Sequence, residues 1–342
     1  MDLFRLTRAL VDIESITNDE EKVGAHLFEV LTELAGRTGG IVERCPVEAK
    51  RFNVFARWGQ PIVTMSTHMD TVPPFFGSRE DEEFIWGRGS ADAKGIIASM
   101  VAAAEKLLAA GAANFGLLFV VGEERNSAGA LAAARDGRGS KFLINGEPTE
   151  NKLVLAAKGI ARYVIEATGK MAHSAYPELG ESAIDKLLDA LQAIRKIPLP
   201  VDDLLGKATM NIGTIEGGRA PNVVPDVACA EISARIVGSP DALREAIVKA
   251  VDGLATVESG IALASMRFCA LEGIPTTVVS FTTDVPAFDG AWGEPFLIGP
   301  GSIHVAHTST EHVAKKALSE AREIYAQMVT RLLKNPEEVR RG

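Results

Sequence analysis

Three short apolar runs constrain the fold of this chain more than any other feature: Ile62-Val-Thr-Met-Ser, Phe115-Gly-Leu-Leu-Phe-Val-Val and Lys141-Phe-Leu-Ile-Asn. Each is too short for a buried helix and is ended by polar or glycine-rich residues, the pattern of strands buried on both faces. Between them lie Gly95–Ala110 and Ala128–Ala134, alanine-rich segments that favour helix. Strand and helix alternating in this way predict an α/β fold, a mainly parallel mixed sheet flanked by helices. Upstream, Asn18-Asp-Glu-Glu opens an acidic first turn, and Val23, Leu27, Val30, Leu31 and Leu34 recur at helical spacing up to Gly36, a natural stop.

From Lys158 to Cys269 the texture changes. Ile160–Thr168 alternates like a half-exposed strand, Ser182–Ile194 reads as helix, Met210–Ile215 and Val227–Ile236 as strands, Asp241–Leu254 as helix and Ile261–Phe268 as a last strand. This β-α-β-β-α-β order is that of a ferredoxin-like α+β sandwich. The apolar run Thr276–Phe281 and a long helix over Glu311–Leu333 then resume the first texture. The expected organisation is nested, with residues 1–157 and 270–342 forming one domain and 158–269 a smaller one inserted into it.

Charge and punctuation exclude several functions. Lys plus Arg number 36 against 45 Asp plus Glu, a formal net charge of −9, so the chain as a whole repels a nucleic-acid backbone and suits a basic partner or a small ligand better. No GxxxxGK[ST] loop occurs and Gly87-Arg-Gly-Ser-Ala-Asp-Ala-Lys-Gly95 does not supply GxGxxG, which makes nucleotide binding a poor fit. The longest uncharged stretch, Leu107–Gly122, is broken by Gly111, Asn114 and Gly116 and is shorter than the roughly 18–20 apolar residues of a membrane span. The N-terminus mixes acidic and basic groups through its apolar positions, unlike a signal peptide. Cys45, Cys229 and Cys269 lie far apart without a CxxC spacing, as expected of reduced thiols in a cytoplasmic protein.

Acidic or histidine clusters follow the three predicted strands directly, where open α/β sheets place ligand-binding groups. They are Ser66-Thr-His68-Met-Asp70, Gly122-Glu123-Glu124-Arg125 and Asn145-Gly-Glu147-Pro148-Thr149. Asp92 lies in the glycine-flanked loop before a helix, and His307 in the segment Gly299–Glu311. Converging carboxylates raise one another's pKa unless cations neutralise them. Imidazoles among them point to a divalent transition metal such as zinc, cobalt or nickel rather than to calcium or magnesium. His68 and Asp70, two apart on an extended segment, face one side, so Asp70 is placed to take the free ring N–H of His68 and fix its tautomer. Taken singly, each group has a plainer reading: Asp92 as a helix cap, Glu123 and Glu124 as an exposed acidic pair, His304 and His312 as solvated or packed. Those readings are independent of one another, whereas a metal site accounts for several positions together.

On these residues the chain resembles the zinc-dependent amidohydrolases that include acetylornithine deacetylase, succinyl-diaminopimelate desuccinylase, aminoacylase and glutamate carboxypeptidase. The matching pieces span nearly the whole chain: STHMDTVP (66–73), GRGSADAKG (87–95), GEER (122–125), GEPT (146–149), GKMAHSAYPELGESAI (169–184), GGRAPNVVPD (217–226) and GPGSIHVAHTSTEHV (299–313). The resemblance implies a catalytic α/β domain of the di-zinc exopeptidase kind carrying an inserted ferredoxin-like lid through which homodimers form. It implies two zinc ions, with cobalt or manganese as substitutes. His68 and Glu147 would bind one, Glu124 and His307 the other, with Asp92 bridging both.

By the same resemblance, Glu123 is the general base, Asp70 supports His68, and His173 donates to the oxyanion. Arg235, Asn222 and Thr283 match positions that hold the substrate's carboxylate or backbone, and Arg219 is a candidate helper. One departure is Thr310, which stands where many relatives carry an acid. The implied reaction is hydrolysis of the amide of an N-acyl amino acid, of the acetylornithine or succinyl-diaminopimelate type. The alternative is a di- or tripeptidase, or a glutamate carboxypeptidase-like metallopeptidase acting on a short peptide. A catalytically dead binding protein on this fold is disfavoured by the presence of Glu123 with all five ligands.

Overall fold

The computed structural model describes residues 2–341 and divides into two compact units. One runs to Leu155 and adds Arg267–Thr277 and the chain from Thr283 onward; the other comprises Ala156–Met266 and Val278–Thr282.

The first unit is built on a six-stranded sheet in the order Ile41–Glu48, Arg51–Trp58, Phe115–Val120, Val63–His68, Phe142–Asn145, Glu294–Leu297. Pairs up to Phe115–Val120 are antiparallel and those beyond it parallel, so the sheet is mixed. Side chains alternate between two dry faces. Val54, Ala56, Trp58, Val63, Met65, Leu117 and Phe119 meet the helices Leu3–Val11, Glu21–Thr38, Lys94–Ala109 and Lys315–Lys334. Phe55, Leu118, Val120 and Leu143 face the other way, under Ala130 of the short helix Ala128–Ala133 and under Phe288 and Trp292. With both faces covered, a strand has no solvent side to mark with polar residues, hence the unbroken apolar runs.

The second unit carries an antiparallel sheet in the order Thr209–Gly217, Val227–Ile236, Gly159–Thr168, Thr256–Leu263. Helices Ala183–Arg195 and Pro240–Ala250 cover one face, packing Leu187, Leu191, Ile194, Leu243 and Ile247 on Ala161, Tyr163, Ile165, Ala230 and Ile232. Both helices start at serine caps, Ser182 accepting from the Asp185 N–H and Ser239 from the Asp241 N–H. This is the ferredoxin-like arrangement.

Several boundaries differ from the sequence expectation, each for a local reason. The second helix passes Gly36, where an added Cβ would meet nothing within 4 Å, and stops at Gly39, whose φ of +76° supplies the left-handed cap. The C-terminal helix begins at Lys315 rather than Glu311, because His312–Ala314 pairs as a strand with Phe84–Trp86. The last strand of the second unit is Thr256–Leu263 instead of Ile261–Phe268: it pairs with Gly159–Thr168 through a bulge between Ser259 and Ala262. The helix Leu3–Val11 and the hairpin Ile41–Glu48/Arg51–Trp58 are additional elements. No helix among the described residues is long and apolar enough to cross a membrane.

Candidate metal centre

The strand Val63–His68 ends in the first imidazole, the loop after Phe115–Val120 carries Glu123 and Glu124, and the loop after Phe142–Asn145 carries Glu147. All three sit past the carboxyl ends of neighbouring parallel strands, the edge at which open α/β sheets bind ligands. Asp92 comes from the loop before the helix Lys94–Ala109, and the peptide bond that follows it is cis. Donor atoms of His68, Asp92 and Glu124 lie within 4.8 Å of one another. Asp92 faces two imidazoles at once, with Oδ1 3.0 Å from His68 Nε2 and Oδ2 3.4 Å from His307 Nε2. His307 Nε2 also lies 3.1 Å from Glu124 Oε1. It adopts a φ of +63°, a conformation that side-chain-bearing residues avoid unless their surroundings enforce it. Gly146 lets Glu147 approach, since a Cβ there would come within 2.4 Å of Ile96.

Burial and mutual repulsion among the carboxylates dominate the electrostatics of the site. Burial, and then the charge of Glu147, push the Glu123 carboxyl well above the ordinary glutamate range. Burial and then Asp92 do the same to Glu147, and burial raises Glu124 against the opposing bond from His307. Burial also acts to raise Asp92, but the imidazoles of His307 and His68 hold it far below the usual aspartate value. Hydrogen bonds to Asp92 and Glu124 push His307 up to about 10. A cation among these groups would relieve the repulsion that raises the carboxyls. Carboxylate oxygens mixed with imidazole nitrogens are a donor set suited to a divalent transition metal. The chemistry of the residues present fits one.

Two buried carboxylates brace the loops that carry these groups. Asp70 Oδ1 accepts the N–H groups of Gly122 and Glu123 at 3.0 and 3.1 Å, and its Oδ2 accepts the Glu124 N–H at 3.2 Å and the Thr17 hydroxyl at 2.8 Å. Asp70 also stands against the Nδ1 side of His68, through its carbonyl as well as its carboxylate. The nearer acceptor for His68 Nδ1 is the Asp70 carbonyl, at 3.0 Å, with the carboxylate Oδ1 at 3.5 Å. The strand ends at His68, so the extended geometry that would align the two side chains stops there, and the carboxylate turns to the amides of 122–124. The second brace is Glu311 with Arg88. Both stand inside the quoted motifs, but nothing in the motif spacing shows that they meet. Thr310, the departure from the pattern, is exposed and bonds only within its own turn.

Asp284, buried and pushed up to about 7 by that burial, adds its charge at Glu123 and Glu147. It directly follows Thr283, which is also buried. His173, Asn222 and Arg235 belong to the second unit. There His173 bridges Val223, and the Ser174 N–H bonds the Asn222 carbonyl at 3.0 Å, which puts the His173 and Asn222 loops side by side. Arg235 keeps a buried Nη1 with no hydrogen-bond partner, and burial together with neighbouring Arg162 depresses its pKa. Arg219 is paired with Asp226 at 2.9 Å.

Known proteins match this chain in sequence and in fold. Residues 64–331 match Peptidase family M20/M25/M40. The chain is 35% identical to a probable carboxypeptidase of Aspergillus niger, over 94% of its own length and 88% of that protein's. It is also 35% identical to a peptidase M20 domain-containing protein of Schizosaccharomyces pombe, over 96% and 84%. Among solved structures, aminopeptidase PepT of Bacillus cereus superposes with a TM-score of 0.76 at 22% identity, covering 97% of this chain and 98% of that one. The M20 family metallo-carboxypeptidase Sso-CP2 of Sulfolobus solfataricus gives 0.76 at 16% identity, covering 96% and 99%. A cluster of imidazole and carboxylate donors at the strand ends, and a family match running through nearly every loop that forms it, lead to one assignment: the chain is a hydrolase belonging to peptidase family M20/M25/M40.

Proposed function

We propose that the protein hydrolyses an amide whose amine side is an amino acid with a free α-carboxylate, and that it works with two zinc ions, cobalt or manganese substituting. His68 and Glu147 would hold one ion and Glu124 and His307 the other, with Asp92 between them. The observation that carries this reading is Asp92, turning one oxygen to each imidazole. Bound there, the metal would supply Lewis acidity and ease the ionisation of the attacking water.

The remaining work falls to the chain's own side chains. Glu123, with its N–H fixed by Asp70 and its carboxyl raised by burial, accepts the proton of the attacking water and delivers it to the leaving nitrogen. His173 donates to the developing oxyanion. Arg235, with its unpartnered buried Nη1, takes the substrate carboxylate, and Asn222 and Thr283 hold the rest of the substrate.

N-acyl amino acids and peptides cut at their C-terminal bond share this linkage. The relatives named probable carboxypeptidases favour a peptidyl acyl group, and the deacetylase or desuccinylase reading keeps the same chemistry with a smaller one. A homodimer through the second unit is part of the proposal. It is supported by the outer strands Thr209–Gly217 and Thr256–Leu263, which expose Ile215 and Ile261. Three unpaired thiols suit a cytoplasmic setting.

The test is zinc- or cobalt-loaded protein assayed on N-acetyl, N-succinyl and N-formyl amino acids beside dipeptides and their C-terminal amides. Cleavage of free-carboxylate substrates over their amides is expected, and no hydrolysis of any amide by metal-loaded protein would refute the reading. Glu123→Gln should keep two metals per chain while kcat falls by about 10²–10⁴. A near-normal kcat would remove Glu123 from the role of base.

A further inference from the structure

We propose that Glu311 is a positioning residue that tunes the metal affinity of the centre by holding the backbone of the Asp92 loop. Its side chain is fully buried although it adds negative charge near an acidic cluster. Both oxygens are fully engaged. Oε1 accepts the N–H groups of Gly89, Ala91 and Asp92 at 2.9, 3.2 and 3.1 Å, and Oε2 meets Arg88 Nη1 at 2.5 Å. The Glu311 carbonyl takes the Gly87 N–H at 3.1 Å. Arg88, itself buried, is steadied by the Pro74 carbonyl at 3.3 Å and by the Phe76 ring. The Glu311 carboxylate therefore takes three of the loop's N–H groups, those of Gly89, Ala91 and Asp92, while the Arg88 N–H goes to the Phe76 carbonyl.

That carboxylate stands four positions after His307, whose imidazole meets Asp92 Oδ2. The segment 307–311 thus grips the Asp92 loop twice, at the ligand side chain and at its backbone. The backbone grip fixes where the Asp92 side chain starts, and with it the direction of both oxygens. Groups that orient metal ligands in this way typically alter affinity by about 10- to 100-fold when removed. Glutamine at 311 keeps one oxygen for the amides but turns an NH2 group toward Arg88, so either the guanidinium or the loop N–H groups lose their acceptor.

The inference rests on the metal reading of the site, and cobalt titration of metal-free protein tests both separately. For Glu311→Gln the Co²⁺ dissociation constant should rise about 10- to 100-fold, with an altered Co²⁺ visible absorption band. Arg88→Lys, which leaves the three amide bonds in place, should shift both readouts in the same direction by less, and it substitutes if Glu311→Gln does not fold. Leu332→Ala, a core truncation on the C-terminal helix, should lower the melting temperature and leave the cobalt band unchanged. Native affinity and spectrum in folded Glu311→Gln, or in Arg88→Lys if that is the variant that folds, would overturn the positioning role alone. Equal losses in Leu332→Ala would also overturn it, by showing that any destabilisation suffices. An unaltered protein that binds no cobalt would overturn the metal reading together with it.

Discussion

Replacing Asp70 with Asn perturbs the brace under Glu123 and Glu124 with almost no change of shape. The asparagine oxygen can still serve the N–H groups of Gly122 and Glu123, now as a neutral acceptor. The other oxygen becomes an NH2 group facing the Thr17 hydroxyl and the Glu124 N–H. Thr17 can turn its hydroxyl and accept, but the Glu124 N–H is left without an acceptor. Orphaning this partly buried donor costs about 2 kcal/mol, and bonds to a charged acceptor exceed neutral ones by roughly 1 kcal/mol. The sum is about 3 kcal/mol, a fall in melting temperature of about 6–12 °C for a unit of this size. Because Glu124 moves with its N–H, Co²⁺ binding should weaken along with stability. Thermal melts and cobalt titrations of the metal-free variant measure both. Melting within about 2 °C of the unaltered protein, or lost stability with native cobalt affinity, would refute the argument that Asp70 acts through these amides.

Further outcomes concern pH and the glycines of the second helix. In metal-free protein, burial raises Glu123, Glu147 and Asp284, so the native state holds protons that the unfolded chain has released. Stability then falls as pH rises from about 4.5 through the Asp284 value of about 7. His307, raised to about 10, adds stability that is complete below the unfolded imidazole value and lost as pH climbs toward 10. A divalent cation relieves the carboxylates and displaces the imidazole proton, so the metal-induced rise in melting temperature should grow from about pH 5 to about pH 8. A rise that shrinks over that range contradicts the assignment. Gly36→Ala, into open space inside a helix, should raise stability by about 0.5–1 kcal/mol. Gly39→Ala, at φ +76°, should lower it by about 1 kcal/mol, and urea midpoints that move the other way would contradict the cap assignment.

Much of the fold was legible because it is written in local periodicity. The runs at 62–66, 115–121 and 141–145 are strands since a sheet covered on both faces needs continuous apolar stretches. The β-α-β-β-α-β order of the second unit follows from alternation and serine caps. Less legible were elements whose signals are mixed. Ile41–Glu48 lies at the sheet edge with half its residues exposed, and its pattern says little until Arg51–Trp58 pairs with it. The stretch 311–314 has helical composition, yet it is extended because pairing with Phe84–Trp86 wins over propensity.

Which groups stand at the carboxyl ends of the strands can be read along the chain, since a polar residue following an apolar run is a local fact. The sequence thereby placed His68, Glu123, Glu124 and Glu147 there, whereas Asp92 and His307 stand in loops away from those ends and joined the set through the resemblance of their motifs. How those groups are held depends on contacts between distant segments of the folded chain. Asp70 meets amides more than 50 positions away, and Glu311 meets amides about 220 positions away. A hydrogen bond between segments so distant leaves no trace in spacing or periodicity, because its geometry exists only once the sheet has brought the two loops together.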